Sequence, residues 1–273
     1  MFHDYLAHYE ARDCRRALIE LFKVLDTEEE DREDYLEEEL AQFPYVNGGL
    51  FADESVEIPQ FTEEIRELLL TKASEEFNWK DISPTIFGAV FESTLNPETR
   101  RHGGMHYTSV ENIHKVIDPL FMDELEGEFE TIQTYKTLNV KRKKLMDFQE
   151  KLAHLKFLDP ACGSGNFLTE TYLSLRRLEN KVLRVLYGEG QGVLGVAASD
   201  IIKVSIQQFY GIEINDFAVT VAKTALWIAE SQMLDETKNI IYGLDGDFLP
   251  LKTYVNITEG NALRIDWNDV ISA

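Results

Sequence analysis

The segment Phe157-Leu158-Asp159-Pro160-Ala161-Cys162-Gly163-Ser164-Gly165-Asn166-Phe167-Leu168 constrains the fold more than any other. A short apolar run leads into a loop of small residues. Apolar residues then recur at Leu168, Tyr172, Leu175, Leu178, Val182 and Val185, the spacing of one helix face. Gly163 and Gly165 let the backbone approach a ligand closely, and the following helix offers unpaired N–H groups at its start. In open α/β sheets such a loop, at the carboxyl end of a strand, is where ligands bind.

Short apolar runs at 155–158, 209–214 and 254–258 alternate with helical patterns, which predicts a parallel sheet with crossover helices. Helices are expected from Thr108 or Ser109 to about Leu125, on to about Ala153, near 199–208, and from Asn215-Asp216 onward. The first hundred residues read differently. Apolar spacing from Tyr5 to Leu25 predicts one long amphipathic helix, followed by a solvated acidic stretch from Glu28 to Glu39. Phe43-Pro44-Tyr45-Val46-Asn47-Gly48-Gly49-Leu50-Phe51 then makes a turn with aromatic anchors. Helical patterns resume at 62–77 and 82–94. The chain therefore reads as a helical domain over 1–104 and an α/β domain over 105–273.

Asp159 separates the classes of ligand. A carboxylate at the strand end repels a pyrophosphate but receives the cationic amino group of a methionine moiety. Leu168 also stands where a dinucleotide fingerprint needs its third glycine. Both features favour S-adenosylmethionine over NAD. The plainer role of Asp159 is a loop or helix cap. Glu213, at the end of Phe209-Tyr210-Gly211-Ile212-Glu213, is placed to accept ribose hydroxyls, its plainer role being a surface carboxylate at a strand end. Asn261 in Gly260-Asn261-Ala262-Leu263 could meet an adenine edge, or simply form a turn.

Composition narrows the setting. The net charge of −22 opposes binding to a phosphate backbone, and the basic run Lys141-Arg142-Lys143-Lys144 reads as a solvated helix face. Cys14 and Cys162 supply neither a disulfide framework nor a zinc pattern, and His102, His106 and His114 lack surrounding carboxylates or thiolates, so no metal is expected. No apolar run approaches the roughly 20 residues that span a bilayer, nor is there a signal-peptide plan at the start. A cytoplasmic protein without membrane contact is the expectation.

Together these motifs resemble the gamma-type adenine-N6 DNA methyltransferases of restriction-modification systems, closest to the MmeI-like group. His106-Tyr107-Thr108-Ser109 resembles that family's Tyr-Thr-Pro element, with Ser109 in place of proline. Residues 157–167 resemble its glycine loop, Gly211-Ile212-Glu213-Ile214-Asn215 its ribose contact, and Gly260-Asn261-Ala262-Leu263 its adenine contact, with Asn261 where Asp is common. The resemblance implies a Rossmann-like S-adenosylmethionine-dependent sheet preceded by an all-helical connector. It implies cofactor contacts at Tyr107, Thr108, Asp159, Ala161, Gly163 and Gly165. Further contacts are implied at Asn166, Phe167, Glu213, Ile214, Asn261 and Ala262.

The family's Asn-Pro-Pro-Tyr or Asn-Pro-Pro-Phe loop, which holds the exocyclic amine of a flipped adenine, has no counterpart: none of the seven prolines is followed by another. The resemblance places that loop after a fourth strand, beyond Ala273. The expectation is a cofactor-binding portion of a longer enzyme, without turnover alone, whose double-stranded DNA contacts come from parts outside this chain. The competing reading is a non-catalytic helical assembly module with a vestigial cofactor pocket.

Overall fold

The computed structural model describes residues 1–46, 51, 57–76, 82–86, 108–188, 198–241 and 256–271. The chain divides into two compact units between Ile82 and Ser83. The domain boundary expected near residue 104, and most of the helix expected over 82–94, lie outside the described residues.

In the first unit α1 (Phe2–Ala7) and α2 (Ala11–Asp26) replace the single helix expected over 5–25. The chain is extended at Glu10 (φ −71°, ψ 157°), and Arg66 donates to the carbonyls of Ala7 and Tyr9 at 2.9 and 2.7 Å. A guanidinium so far along the chain satisfies the groups that the break exposes, which local periodicity cannot register. Cys14, Ala17, Leu18 and Leu21 of α2 pack with Tyr5, Leu6, Phe43 and Leu40, the last from α3 (Glu38–Ala41). The acidic stretch holds one exposed 3₁₀ turn, Glu29–Asp31, before α3. The aromatic anchors are present: Tyr5 meets Phe43 edge-on at 5.6 Å and Phe22 stacks on Phe51 at 4.8 Å. α4 (Glu63–Leu68) is capped by Thr62, whose hydroxyl accepts from the Ile65 N–H at 3.2 Å, and widens into a π-helical stretch, Leu69–Glu75.

The second unit opens with α5 (Val110–Ile117), α6 (Asp123–Gln133) and α7 (Leu138–His154). Between α5 and α6 the stretch Asp118–Met122 is π-helical, with the Asp123 N–H reaching back to the Asp118 carbonyl. Pro119 has no N–H to donate, and the wider turn absorbs that loss, so the helix runs past the expected end near Leu125.

Strands β1 (Phe157–Asp159), β2 (Phe209–Glu213) and β3 (Asn256–Glu259) form a parallel sheet in the order β1-β2-β3. Phe157 pairs with Phe209, and Glu213 with Glu259. The rings of Phe157 and Phe209 stack at 5.2 Å, and Tyr172 meets Phe209 edge-on at 5.5 Å. These contacts seat α8 (Asn166–Tyr187) against the sheet. Its periodic positions Leu168, Tyr172, Leu175, Leu178 and Val182 are buried as the spacing predicts, whereas Val185 is exposed.

The helix expected over 199–208 is instead α9 (Ala198–Ile201) and a 3₁₀ turn, Ile206–Gln208. The intervening N–H groups of Lys203 and Val204 donate to buried Glu179, at 2.7 and 3.3 Å, rather than to helical carbonyls. Glu179 is ion-paired with Arg176 and accepts from Gln149 of α7 at 2.6 Å. Arg176 also donates to Thr237 at 2.7 Å, on α10 (Asp216–Ile240). One buried polar network thus links α7, α8 and α10, with the Arg176 Nε left without an acceptor among the described residues. α11 (Trp267–Ile271) follows β3, and Val270 packs on Tyr210 and Ile212.

Candidate functional site

The carboxyl ends of the three strands converge on the loop after β1. Gly163 and Gly165 take φ of 54° and 77°, the left-handed region that only glycine enters freely. A Cβ on Gly165 would lie 2.9 Å from the Ala222 Cβ of α10, whereas one on Gly163 would meet nothing within 4 Å. The first glycine is thus open to a ligand and the second closed by packing. The Cys162 N–H donates to the Ile212 carbonyl at 3.1 Å, which prolongs the β1–β2 pairing into the loop. Burial and the carboxylates of Asp159 and Glu213 raise the Cys162 thiol far above its ordinary range, so it is no nucleophile.

Glu213 is 8 % exposed, and its carboxylate accepts three backbone hydrogen bonds. Oε2 takes the Gly163 N–H at 2.9 Å, and Oε1 takes those of Ile214 and Asn215 at 2.8 and 3.0 Å. A carboxylate has about four acceptor positions, so with the loop so held one remains, on Oε2. Asp159 Oδ1 accepts the Ala161 N–H at 3.0 Å, the loop-capping role weighed from sequence. Its Oδ2 has no donor among the described residues. Burial, with the nearby Glu213 charge, raises the Asp159 pKa against the pull of the Ala161 N–H.

β3 delivers Asn261 beside this crevice, where the Gly260 N–H donates to the Glu213 carbonyl at 2.8 Å. Asn261 Oδ1 accepts the Leu263 N–H at 2.9 Å as a turn residue does, while its amide nitrogen has no described partner. The Ala262 carbonyl accepts the Trp267 indole N–H at 2.8 Å. Ile214 and Leu263 are 66 % and 93 % exposed. Asn166, the first residue of α8, is buried with Oδ1 unpartnered, Ala161 is exposed and Phe167 is half-buried. Thr108 is half-buried just before Ser109, the N-cap of α5, and Tyr107 lies outside the described residues. Asp159, Gly163 and Glu213 therefore lie together at the strand ends, with the turn that carries Asn261 joined to them through Gly260.

The basic run lies elsewhere. Arg142 donates to the Leu186 carbonyl at 3.3 Å, at the far end of the 22-residue α8. That is about 30 Å from the glycine loop at 1.5 Å per residue.

One group escaped the sequence reading. His114 does have carboxylate neighbours: its Nδ1 is 2.8 Å from Asp118 Oδ1 and its Nε2 is 3.2 Å from Glu170 Oε1. The i,i+4 pair with Asp118 was visible as helical spacing. Glu170, brought in by α8, was not. His102 and His106 lie outside the described residues.

Fold and site define a parallel α/β domain with an acidic, glycine-lined crevice at its strand ends. The chain belongs to the family described as MmeI, DNA-methyltransferase domain, which matches residues 135–273. Residues 1–51 match a second family, MmeI, helicase spacer domain. DNA methyltransferase A of Bacillus subtilis is 41% identical over 269 residues, covering 98% of this chain and 29% of that relative. The structure of the type IIL restriction-modification enzyme MmeI in complex with DNA is 42% identical, with a TM-score of 0.86 over 99% of this chain and 35% of that one. The chain thus spans about a third of the length of these relatives. Among the described residues no helix is long and apolar enough to cross a membrane.

Proposed function

We propose that this chain is the S-adenosylmethionine-binding portion of a DNA adenine-N6 methyltransferase of a restriction-modification system. On this reading β1, β2 and β3 are the first strands of a Rossmann-like methyltransferase sheet, and the helical residues up to about 104 are a connector. The observation that carries the cofactor reading is the free Oδ2 of Asp159 at the start of a loop whose glycine, Gly163, has open space on its outer side.

The donor set suits this ligand. Two carboxylates in one crevice attract the ammonium and sulfonium charges and disfavour a pyrophosphate. Asp159 Oδ2 holds the ammonium, and Gly163 admits the ligand against the backbone. Glu213 Oε2 has room for one ribose hydroxyl while the loop is fastened, and a second requires one N–H to let go. The Asn261 amide donates to the adenine edge, and Ile214 offers its exposed side chain to the ring face. Thr108 and Asn166 border the methionine end, with Tyr107, Ala161, Phe167 and Ala262 completing the contacts. The bound cofactor supplies an electrophilic methyl group, and these residues orient it.

The acceptor adenine is read as double-stranded DNA bound mainly by other parts of a longer protein, since −22 charges repel phosphate. The MmeI relative was solved in complex with DNA, which supports that partner. Incubating the protein with duplex DNA and methyl-labelled cofactor tests the reaction in a longer chain that supplies an Asn-Pro-Pro loop. Label at adenine N6 is expected, and label confined to cytosine or to protein contradicts the assignment.

A further inference from the structure

We infer that His114 is a positioning residue for the cofactor crevice, bridging Asp118 and Glu170 so that α5 is clasped to the opening turns of α8. The inference rests on the cofactor reading above and adds a residue that touches no ligand. Glu170 lies one helical turn beyond Asn166, where α8 leaves the glycine loop, and is 4 % exposed. α5 begins two residues after Thr108. On the cofactor reading, the clasp therefore joins the two segments assigned to the methionine end.

Both ring nitrogens face carboxylate oxygens, at 2.8 and 3.2 Å. Neutral imidazole has one N–H, so one nitrogen would then present a lone pair to an anion. Only the cation donates on both sides. The charged groups around it are Asp118 on its own helical run, Glu170 on α8, and Arg177, which lies 3.5 Å from the same Glu170 oxygen. The two carboxylates hold the His114 pKa above its ordinary value against the opposing effect of burial. A group with a raised folded pKa contributes fully below about pH 6.5, and its contribution is lost as pH rises through the folded value. Cofactor affinity is therefore coupled to a proton on a side chain outside the pocket.

The test is S-adenosylmethionine affinity by calorimetry between about pH 6 and about pH 8.5, with the intact protein, His114→Gln and Asp118→Asn. The expected wild-type dissociation constant rises roughly three- to tenfold over that range. In His114→Gln it is weak and keeps only the smaller pH dependence that the ligand's own ammonium and Asp159 contribute. Asp118→Asn removes only the more exposed carboxylate, so it keeps the fold and moves the wild-type transition to lower pH. An unchanged pH profile in His114→Gln, with wild-type binding intact, overturns the clasp and leaves the cofactor reading standing. Absence of binding by the wild type at every pH overturns the cofactor reading itself, and the positioning role with it. Titration of the His114 ring by NMR distinguishes the two independently of ligand. The clasp requires a raised pKa that falls toward 6.5 in Glu170→Gln, and an unperturbed ring overturns it.

Discussion

The Glu213 carboxylate and the Gly163 N–H, 2.9 Å apart, fasten the end of the second strand to the loop that follows the first. One residue proposed to bind ribose is thus also the buckle of the glycine loop. Removing it should do two things. Glu213→Ala leaves three backbone N–H groups without their acceptor and is expected to cost about 2–4 kcal/mol in urea unfolding. Glu213→Gln keeps one oxygen for Ile214 and Asn215 but turns an NH₂ toward Gly163, so it should cost about 1–2 kcal/mol while loosening the loop.

Asp159 is held at an energetic disadvantage. Its raised folded pKa means that the ionised form is disfavoured by folding, so stability is greatest with the carboxyl protonated and falls as pH rises from the usual carboxylate range through the folded pKa. Asp159→Asn retains the oxygen that accepts from Ala161 and removes the charge. Without ligand its Tm at neutral pH should exceed that of the wild type. A lower Tm would mean that the charge is structural.

The two loop glycines should differ. Gly163→Ala introduces only a left-handed alanine, roughly 1–2 kcal/mol. Gly165→Ala adds a Cβ 2.9 Å from that of Ala222, a crowding of about 1–3 kcal/mol more. Chemical denaturation of both variants compares the two costs, and equal costs would show that α10 yields easily.

Arg176 and Glu179 are fully buried and bind each other, so Arg176→Met leaves an anion in the core. Gln149 and the Lys203 and Val204 N–H groups still reach it. A loss near the lower end of the usual range, about 3 kcal/mol, is expected by thermal or urea unfolding.

What was legible in the sequence was local. The strand, loop and helix around Gly163 could be read because glycine placement and apolar period agree over a dozen residues, and Glu213 and Asn261 followed from strand ends. The break between α1 and α2 could not be read, because Arg66 stabilises it from far along the chain. The non-helical stretch before the 3₁₀ turn depends on Glu179, again a distant side chain. His114 was misread for the same reason, since Glu170 reaches it only through the packing of α8 on α5. In the site itself, the loop-capping alternative for Asp159 and the ligand role proposed for it coexist on its two oxygens.

The most direct test is calorimetric titration of the protein with S-adenosylmethionine, beside Asp159→Asn. The account predicts one-to-one binding by the wild type, at least about tenfold weaker in the variant, with the variant's cooperative unfolding preserved. Equal affinity in Asp159→Asn, or no binding by a folded wild type, would contradict it.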